Sequence, residues 1–226
     1  MIDVFSSRWL SDFLFGFGAL FSIINPFGLA FVFHDRTLGL TESERARVAG
    51  RVAIYAFAIL LGSLFAGHLV LRFFGISVPA LRIAGGLIVA VTGWTMLHAM
   101  PSSPGGHPRS GADYATIKRM SFFPLTIPLT AGPGTIATAI AIGTTNRSDD
   151  LNSIVYSSIV WLLVAFAVSL TVYVAYKRSA AMARLIGEEG TSVVTKLSAF
   201  LLLCVGVQII ITGVAEVVSS LKLVVG

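Results

Sequence analysis

Two short motifs place helix-breaking residues inside otherwise apolar sequence. The first consists of Asn25, Pro26, Phe27 and Gly28, and it lies within residues 13–33, where no Asp, Glu, Lys or Arg occurs. Asparagine is a favoured N-cap and proline suits the first helical position, so the motif predicts a helix that begins inside the apolar stretch. The start of a helix presents unpaired N–H groups and the positive end of the helix dipole. The predicted chemistry is therefore the binding of an anionic group such as a carboxylate.

A second motif repeats this signal in the other half of the chain. Pro133 is expected to open the helix, with Thr130 or Gly132 as its cap. Gly132 and Gly134 leave the backbone bare, so a ligand can approach it closely. These residues form the second half of the predicted substrate-binding site.

The elements that must position both motifs are membrane-spanning helices. Hydrophobic residues make up 55% of the 226 residues and charged residues only 12%, whereas soluble domains carry about 25% charged residues. A bilayer crossing needs about 20 apolar residues. Stretches without charged residues that meet this length are 13–33, 52–71, 83–108 (with the crossing ending near 100), 120–146, 151–176 and 197–215. We predict an all-α polytopic membrane protein with six transmembrane helices, of which the first and fourth are broken.

Local signals refine two of these elements. Pro124 and Pro128 lie upstream of the second motif and predict additional breaks in the fourth span, because proline removes a helical hydrogen bond. Thr41 and Glu44 have the spacing of a capping box and predict a helix start in the first loop.

The chain divides into two halves of three spans each. Residues 101–118 are rich in Pro, Gly and Ser and are predicted to form a cytoplasmic linker between a first repeat, 1–100, and a second, 119–226. The helix breaker and a basic residue recur in the same order in both halves. Because each half has an odd number of spans, the second copy would be inverted relative to the first, as in many secondary transporters.

The basic residues predict an orientation in the membrane. Eleven of the 16 Lys and Arg residues fall in the first, third and fifth loops. The positive-inside rule then places these loops in the cytoplasm and both termini in the periplasm.

Three further residues are candidates for gating or coupling. Arg82 and Lys196 correspond between the two halves and are candidate gating residues, with snorkelling to the headgroups as the alternative. His68 is a candidate carrier of a coupling proton, with a hydrogen-bonded core histidine as the alternative. Coupling to H⁺ or Na⁺, uniport and exchange all stay open.

Three segments resemble the MarC family of six-span inner-membrane proteins: SIINPFGLAFVF at 22–33, ISVPALRIAGGLIVA at 76–90 and IPLTAGPGTIATAI at 127–140. The resemblance covers nearly the whole chain. Members of the family are classed as small neutral amino-acid transporters, and the link of the family name to a multiple-antibiotic-resistance locus does not indicate drug export. The resemblance implies a multi-pass protein of the bacterial inner membrane. It also assigns both motifs to the functional site, the first as residues 25–28 and the second as Gly132, Pro133, Gly134 and Thr135.

The expected function is a secondary transporter that exports or exchanges glycine, alanine or serine by alternating access. The expected partners are a small zwitterionic or anionic substrate and the lipid bilayer, without nucleic acid, metal or cofactor, and a homo-oligomer stays open. A channel or a membrane assembly factor without amino-acid transport is the alternative. The sequence contains neither HExxH nor GxSxG, so an enzyme is not expected.

Overall fold

The computed structural model describes residues 2–98, 119–145 and 151–225, and all elements in these ranges are helices. The predicted linker, 101–118, lies outside the described residues. The helices are α1 (Ile2–Ile24), α2 (Pro26–Arg36), α3 (Glu42–Phe74), α4 (Val78–His98), α5 (Ser121–Thr130), α6 (Pro133–Thr145), α7 (Leu151–Lys177) and α8 (Ser179–Val225).

Most of these helices are long and apolar enough to cross a membrane. Five helical stretches qualify on their own, and a sixth crossing results if the bent pair α5–α6 counts as one span. The first stretch joins α1 and α2 across their break. The five are Trp9–Arg36, Glu42–Phe74, Val78–His98, Asn152–Lys177 and Ser192–Leu221. The predicted all-helical membrane architecture is confirmed at this level.

Local sequence determines where several helices begin and bend. The predicted capping box is confirmed at the start of α3, where the Thr41 hydroxyl accepts from the Glu44 N–H and the Thr41 N–H donates to the Glu44 carboxylate at 2.8 Å. Near the start of α8, Gly187 has φ 72° and ψ −179°, which breaks the helical backbone. This kink separates a short first segment from the apolar part of α8.

The core lies between the first broken span, α3 and α7. Its fully buried side chains include Leu20, Phe33, Leu60, Val164 and Tyr176. Large apolar side chains also cover the outside of the bundle. Exposed apolar surface of this extent is unfavourable in water but suits contact with lipid. It occurs on several helices, for example at Ile54, Phe73, Leu87, Phe166 and Leu201.

Helices α4 and α8 pack backbone against backbone. A Cβ atom added at Gly93 would lie 2.5 Å from the backbone nitrogen of Leu203, and one at Gly86 would lie 3.0 Å from that of Ile210. Small residues allow this close approach of membrane helices. The contacts advance along α4 as they recede along α8, so the two helices run antiparallel.

The main contacts between elements that are not consecutive come in matched pairs. Helix α2 packs on α7 and α8, and α6 packs on α3 and α4. In the same way α1 contacts α6 and α7, and α5 contacts α2 and α3. The remaining pairs, α3 with α7 and α4 with α8, join elements that hold the same position in the order of each predicted half. Each broken span therefore packs on helices of the opposite half.

Candidate functional site

The first predicted break occurs at Asn25. This residue adopts left-handed backbone angles, φ 45° and ψ 60°, and its side-chain oxygen accepts a hydrogen bond of 3.2 Å from the Gly28 N–H. Asparagine tolerates this conformation better than most residues because its side chain bonds locally. Helix α2 then begins at Pro26, as the motif predicts. Pro26 and Gly28 are buried, whereas Phe27 is 49% exposed.

The second broken span has a wider interruption. Within α5, Phe123 and Ile127 have extended backbone angles, with ψ 124° at both, and each precedes a proline. Proline disfavours helical angles at the residue before it, so the predicted additional breaks at Pro124 and Pro128 are confirmed. Helix α6 restarts at Pro133, and α5 and α6 are bent by 62° relative to each other.

Threonine hydroxyls engage backbone oxygens around this interruption. Thr126 donates to the carbonyl of Ser121 at 2.6 Å, and Thr130 donates to that of Leu125 at 2.7 Å. Such side-chain bonds compensate for backbone groups that a broken membrane helix leaves unpaired. The Thr135 hydroxyl lies 3.5 Å from the Thr130 carbonyl oxygen. The Thr130 hydroxyl therefore bonds back into α5. Gly132 is the other predicted cap, and its carbonyl oxygen accepts the first hydrogen bond of α6, from the Ile136 N–H at 3.0 Å.

The glycines of the two motifs lie against helices of the opposite half. A Cβ atom at Gly28 would lie 2.4 Å from the hydroxyl of Ser198 on α8. One at Gly134 would lie 2.2 Å from a methyl carbon of Val89 on α4, and Gly85 of α4 lies beside the carbonyl of Pro133. The missing side chains therefore let each restarted helix approach α8 or α4. Gly132 is similarly confined, because its Cβ would lie 2.4 Å from the carbonyl oxygen of Pro128.

Tyr176 links the second break to the core. Its hydroxyl lies 2.8 Å from that of Thr130, and its ring stacks on Phe33 of α2 with centroids 4.4 Å apart. A threonine hydroxyl has a single hydrogen, which Thr130 already donates to the Leu125 carbonyl. Tyr176 must therefore be the donor to Thr130. This contact joins α7 to the end of α5, while the stacked ring joins α7 to α2.

We expect the substitution Tyr176→Phe to destabilise the protein by about 1 kcal/mol, because it removes one buried hydrogen bond. The loss should stay at this modest level since Thr130 keeps its bond to Leu125. Thermal unfolding in detergent measures the effect. Tyr173→Phe is the control, because Tyr173 is only partly buried, and an equal destabilisation by both substitutions would contradict the assignment.

The candidate gating residues lie at opposite ends of the α4–α8 pair. Arg82 forms an ion pair with Glu216 of α8 and lies beside Gly213. Lys196 is exposed near the other end of the apolar part of α8, about 30 Å away along the helix axis. Arg82 therefore has a protein partner, and this ion pair fastens α4 to α8 at one end of their contact.

We expect Arg82→Glu to repel Glu216 and to weaken the contact between α4 and α8, and we expect the double reversal with Glu216→Arg to restore it. The pair is partly exposed, so the coupling energy should not exceed about 1 kcal/mol. A double-mutant cycle on thermal stability measures it. Additive effects of the two reversals would show that the pair makes no contribution.

His68 is half-buried on α3 next to Gly67, which packs on Ile140 of α6. Within the described ranges, no group of three or more His, Cys, Asp or Glu side chains is arranged to hold a metal ion. The assignment of His68 as a coupling residue stays a prediction.

Reasoning from the sequence missed residues that complete these contacts. Ser198 against Gly28 and Tyr176 against Thr130 carry no local motif, and Val89 against Gly134 lies in the family segment 76–90 without a signal of its own. Only the weak correspondence of the two halves draws attention to Ser198, as a small residue shortly after Lys196.

Interrupted helices within a bundle of apolar helices define this molecule as a polytopic α-helical membrane protein. Residues 10–218 match a protein family that is described as the MarC family of integral membrane proteins. The chain belongs to this family, which confirms the resemblance found in the three segments.

Its relatives match over almost their entire length. The UPF0056 inner membrane protein MarC of Escherichia coli (strain K12) is 34% identical over 224 residues, which cover 97% of this chain and 99% of that protein. The proteins of the same name from Escherichia coli O1:K1 / APEC and from Escherichia coli O6:H1 (strain CFT073) match with the same identity and coverage. No solved structure matches the chain.

Proposed function

We propose that this protein is a secondary transporter that exports or exchanges small neutral amino acids, of the glycine, alanine and serine type, by alternating access. One observation carries the proposal: α2 and α6 begin within apolar sequence, at Pro26 and Pro133, and each packs on the last long helix of the opposite half. Interrupted helices of this kind supply polar backbone groups to substrate sites in transporters.

The proposal assigns the two halves as inverted repeats. The matched contacts support it, because exchanging α1–α4 with α5–α8 in any of the main contacts between non-consecutive elements yields another of these contacts. The antiparallel packing of α4 and α8 is what inversion requires of equivalent helices. Two such halves can exchange their roles at the two faces of the membrane, which alternating access needs.

The substrate class follows from the chemistry of the helix starts. The first intrahelical bonds after the breaks are donated by Leu29 to Asn25 and by Ile136 to Gly132. The N–H groups of Phe27, Gly134 and Thr135 precede them, in the first turn, where helix termini lack backbone partners. A substrate carboxylate would bind there, with the ammonium at backbone carbonyls that the breaks leave free. Dense packing around Gly28 and Gly134 favours a substrate with a small side chain.

We propose the bacterial inner membrane as the location, which the names of the relatives support. We also propose that both termini are periplasmic. In support, the α2–α3 and α7–α8 connections lie at one face, where Glu42 and Arg184 form an ion pair. The basic residues Arg45, Lys177 and Arg178 gather at the same face, as the positive-inside rule expects of a cytoplasmic surface.

Counterflow in proteoliposomes tests the proposed transport. Vesicles loaded with unlabelled glycine, alanine or serine should accumulate the labelled amino acid transiently, whereas vesicles loaded with tryptophan or prepared without protein should not. The absence of counterflow for every small amino acid would reject transport in favour of an assembly factor. Uptake that needs no internal substrate and does not saturate would indicate a channel.

A further inference from the structure

A basic cavity lies at the face formed by the α2–α3 and α7–α8 connections, away from both helix breaks. Its volume is about 310 Å³, and its charged lining residues are Glu42, Arg45, Lys177, Arg178 and Arg184. Four cationic groups and one carboxylate leave this lining with a net charge of +3. The single carboxylate, Glu42, is already paired with Arg184. The cavity therefore has an excess of positive charge that its own side chains do not neutralise.

Arg45 is fixed in the cavity wall with its charge largely withdrawn from water. The residue is 7% exposed. Its Nε donates to the Thr37 hydroxyl at 3.2 Å, and its Nη2 donates to the carbonyls of Thr37 at 3.1 Å and Leu40 at 3.4 Å. All of these acceptors are neutral. A buried guanidinium is costly unless an anion offsets its charge. Glu42 is the one carboxylate in the lining and is shared between Arg45 and Arg184, so a further anion would stabilise this arrangement.

The position of the cavity relative to the spans indicates the source of that anion. Arg45 lies at the beginning of the apolar helix α3 and Lys177 at the end of α7. This is the level at which lipid headgroups meet the protein. Next to Arg184, Leu185 is 86% exposed and Ile186 is also exposed. Apolar side chains beside the cations suit a ligand that carries acyl chains as well as a negative charge.

We propose that this cavity binds the phosphate group of an anionic phospholipid in the leaflet next to the α2–α3 and α7–α8 connections. Basic pockets between transmembrane helices are suited to such headgroups. The planar guanidinium forks of Arg178 and Arg184 match the oxygens of a phosphate. The bound headgroup would bridge α3 to the α7–α8 junction. These two parts of the structure already meet here through the exposed ion pair of Glu42 and Arg184.

Native mass spectrometry of the purified, delipidated protein tests this site. The probes are phosphatidylglycerol and phosphatidylcholine with identical acyl chains. The protein should retain phosphatidylglycerol preferentially. Each cation removed should weaken its binding about fivefold, so Lys177→Gln with Arg184→Gln should weaken it about 25-fold. Arg72→Gln is the matched control, because Arg72 is exposed at the opposite end of α3, and it should leave the affinity unchanged.

A variant that is expected to bind the lipid more tightly distinguishes the proposed site from a loss of binding caused by poor folding. Glu42→Gln removes the cavity's carboxylate and releases Arg184, so it should strengthen phosphatidylglycerol binding about fivefold. Equal binding of the two lipids, or affinity that none of the cavity variants changes, would overturn the proposal. Inorganic phosphate that competes with the lipid at equal concentration would also overturn it, because the site would then recognise a free anion.

Discussion

The substitution Asn25→Asp is expected to leave the protein folded and to abolish amino-acid counterflow. Aspartate is as good an N-cap as asparagine and tolerates left-handed backbone angles, so the break at φ 45° should persist. A carboxylate at this position would face the carboxylate of the proposed substrate. Like charges about 4 Å apart at an effective dielectric constant of about 20 repel by about 4 kcal/mol. We therefore expect a loss of about a thousandfold in transport.

Initial counterflow rates measure this loss, and thermal unfolding of the same samples measures the stability. Asn25→Gly is the control, because glycine keeps the left-handed break and removes only the side-chain cap. It should cost a few tenths of a kcal/mol and keep transport within about tenfold of the unsubstituted protein. If the aspartate variant transports normally, the negative group of the substrate is not held at the start of α2.

The helix breaks could be predicted from the sequence because their causes are local. The cap at Asn25 needs only the residue itself and the N–H of Gly28, three positions later. The irregular backbone at Phe123 and Ile127 likewise follows from the prolines next to them. The capping box of α3 joins residues three positions apart. In each case all the interacting groups lie within one helical turn, so the motif alone contains the physical reason.

The partners of these motifs could not be predicted, because they come from distant parts of the chain. Nothing near Arg82 indicates Glu216, and nothing near Thr130 indicates Tyr176, since both contacts arise only when the helices pack. Packing also changes what the glycines do. The sequence suggested bare backbone for a ligand, whereas the structure places Val89 over Gly134. The N–H of such a residue can still serve the proposed site while its Cα–H faces a neighbouring helix.

Gly134 thus has two roles, since its N–H serves the proposed site and its Cα–H packs on α4. These two roles connect the architecture to the proposed mechanism. Because α6 packs on α4 and α2 packs on α8, the start of each restarted helix is positioned by a helix of the opposite half. Movement of one half relative to the other would therefore displace the start of a restarted helix relative to the helix of the opposite half on which it packs. A site built in this way would change its geometry whenever the halves rearrange, which is the coupling that alternating access requires.

Gly134→Ala should accordingly impair both stability and transport. The added Cβ would lie 2.2 Å from a methyl carbon of Val89, so Val89 must leave its rotamer or α6 must move away from α4. Overpacking of this kind costs about 1–3 kcal/mol. Displacement of the helix start should also reduce counterflow by more than about tenfold, because misplaced binding groups lose most of their effect. Gly62→Ala is the matched control, since a Cβ atom there meets nothing within 4 Å.

The second substitution Val89→Ala should rescue the Gly134→Ala variant. It removes the clashing methyl and leaves the next nearest atom, the Cβ of residue 89, at 3.5 Å, which is an ordinary contact distance. A double-mutant cycle on thermal stability should give a favourable coupling of about 1–3 kcal/mol, and counterflow should recover in parallel. Recovery of stability without transport would mean that the substrate itself needs the space at Gly134. Wild-type stability of the single variant would mean instead that α4 and α6 are not in close contact, and the proposed support of the helix start by the opposite half would then be lost.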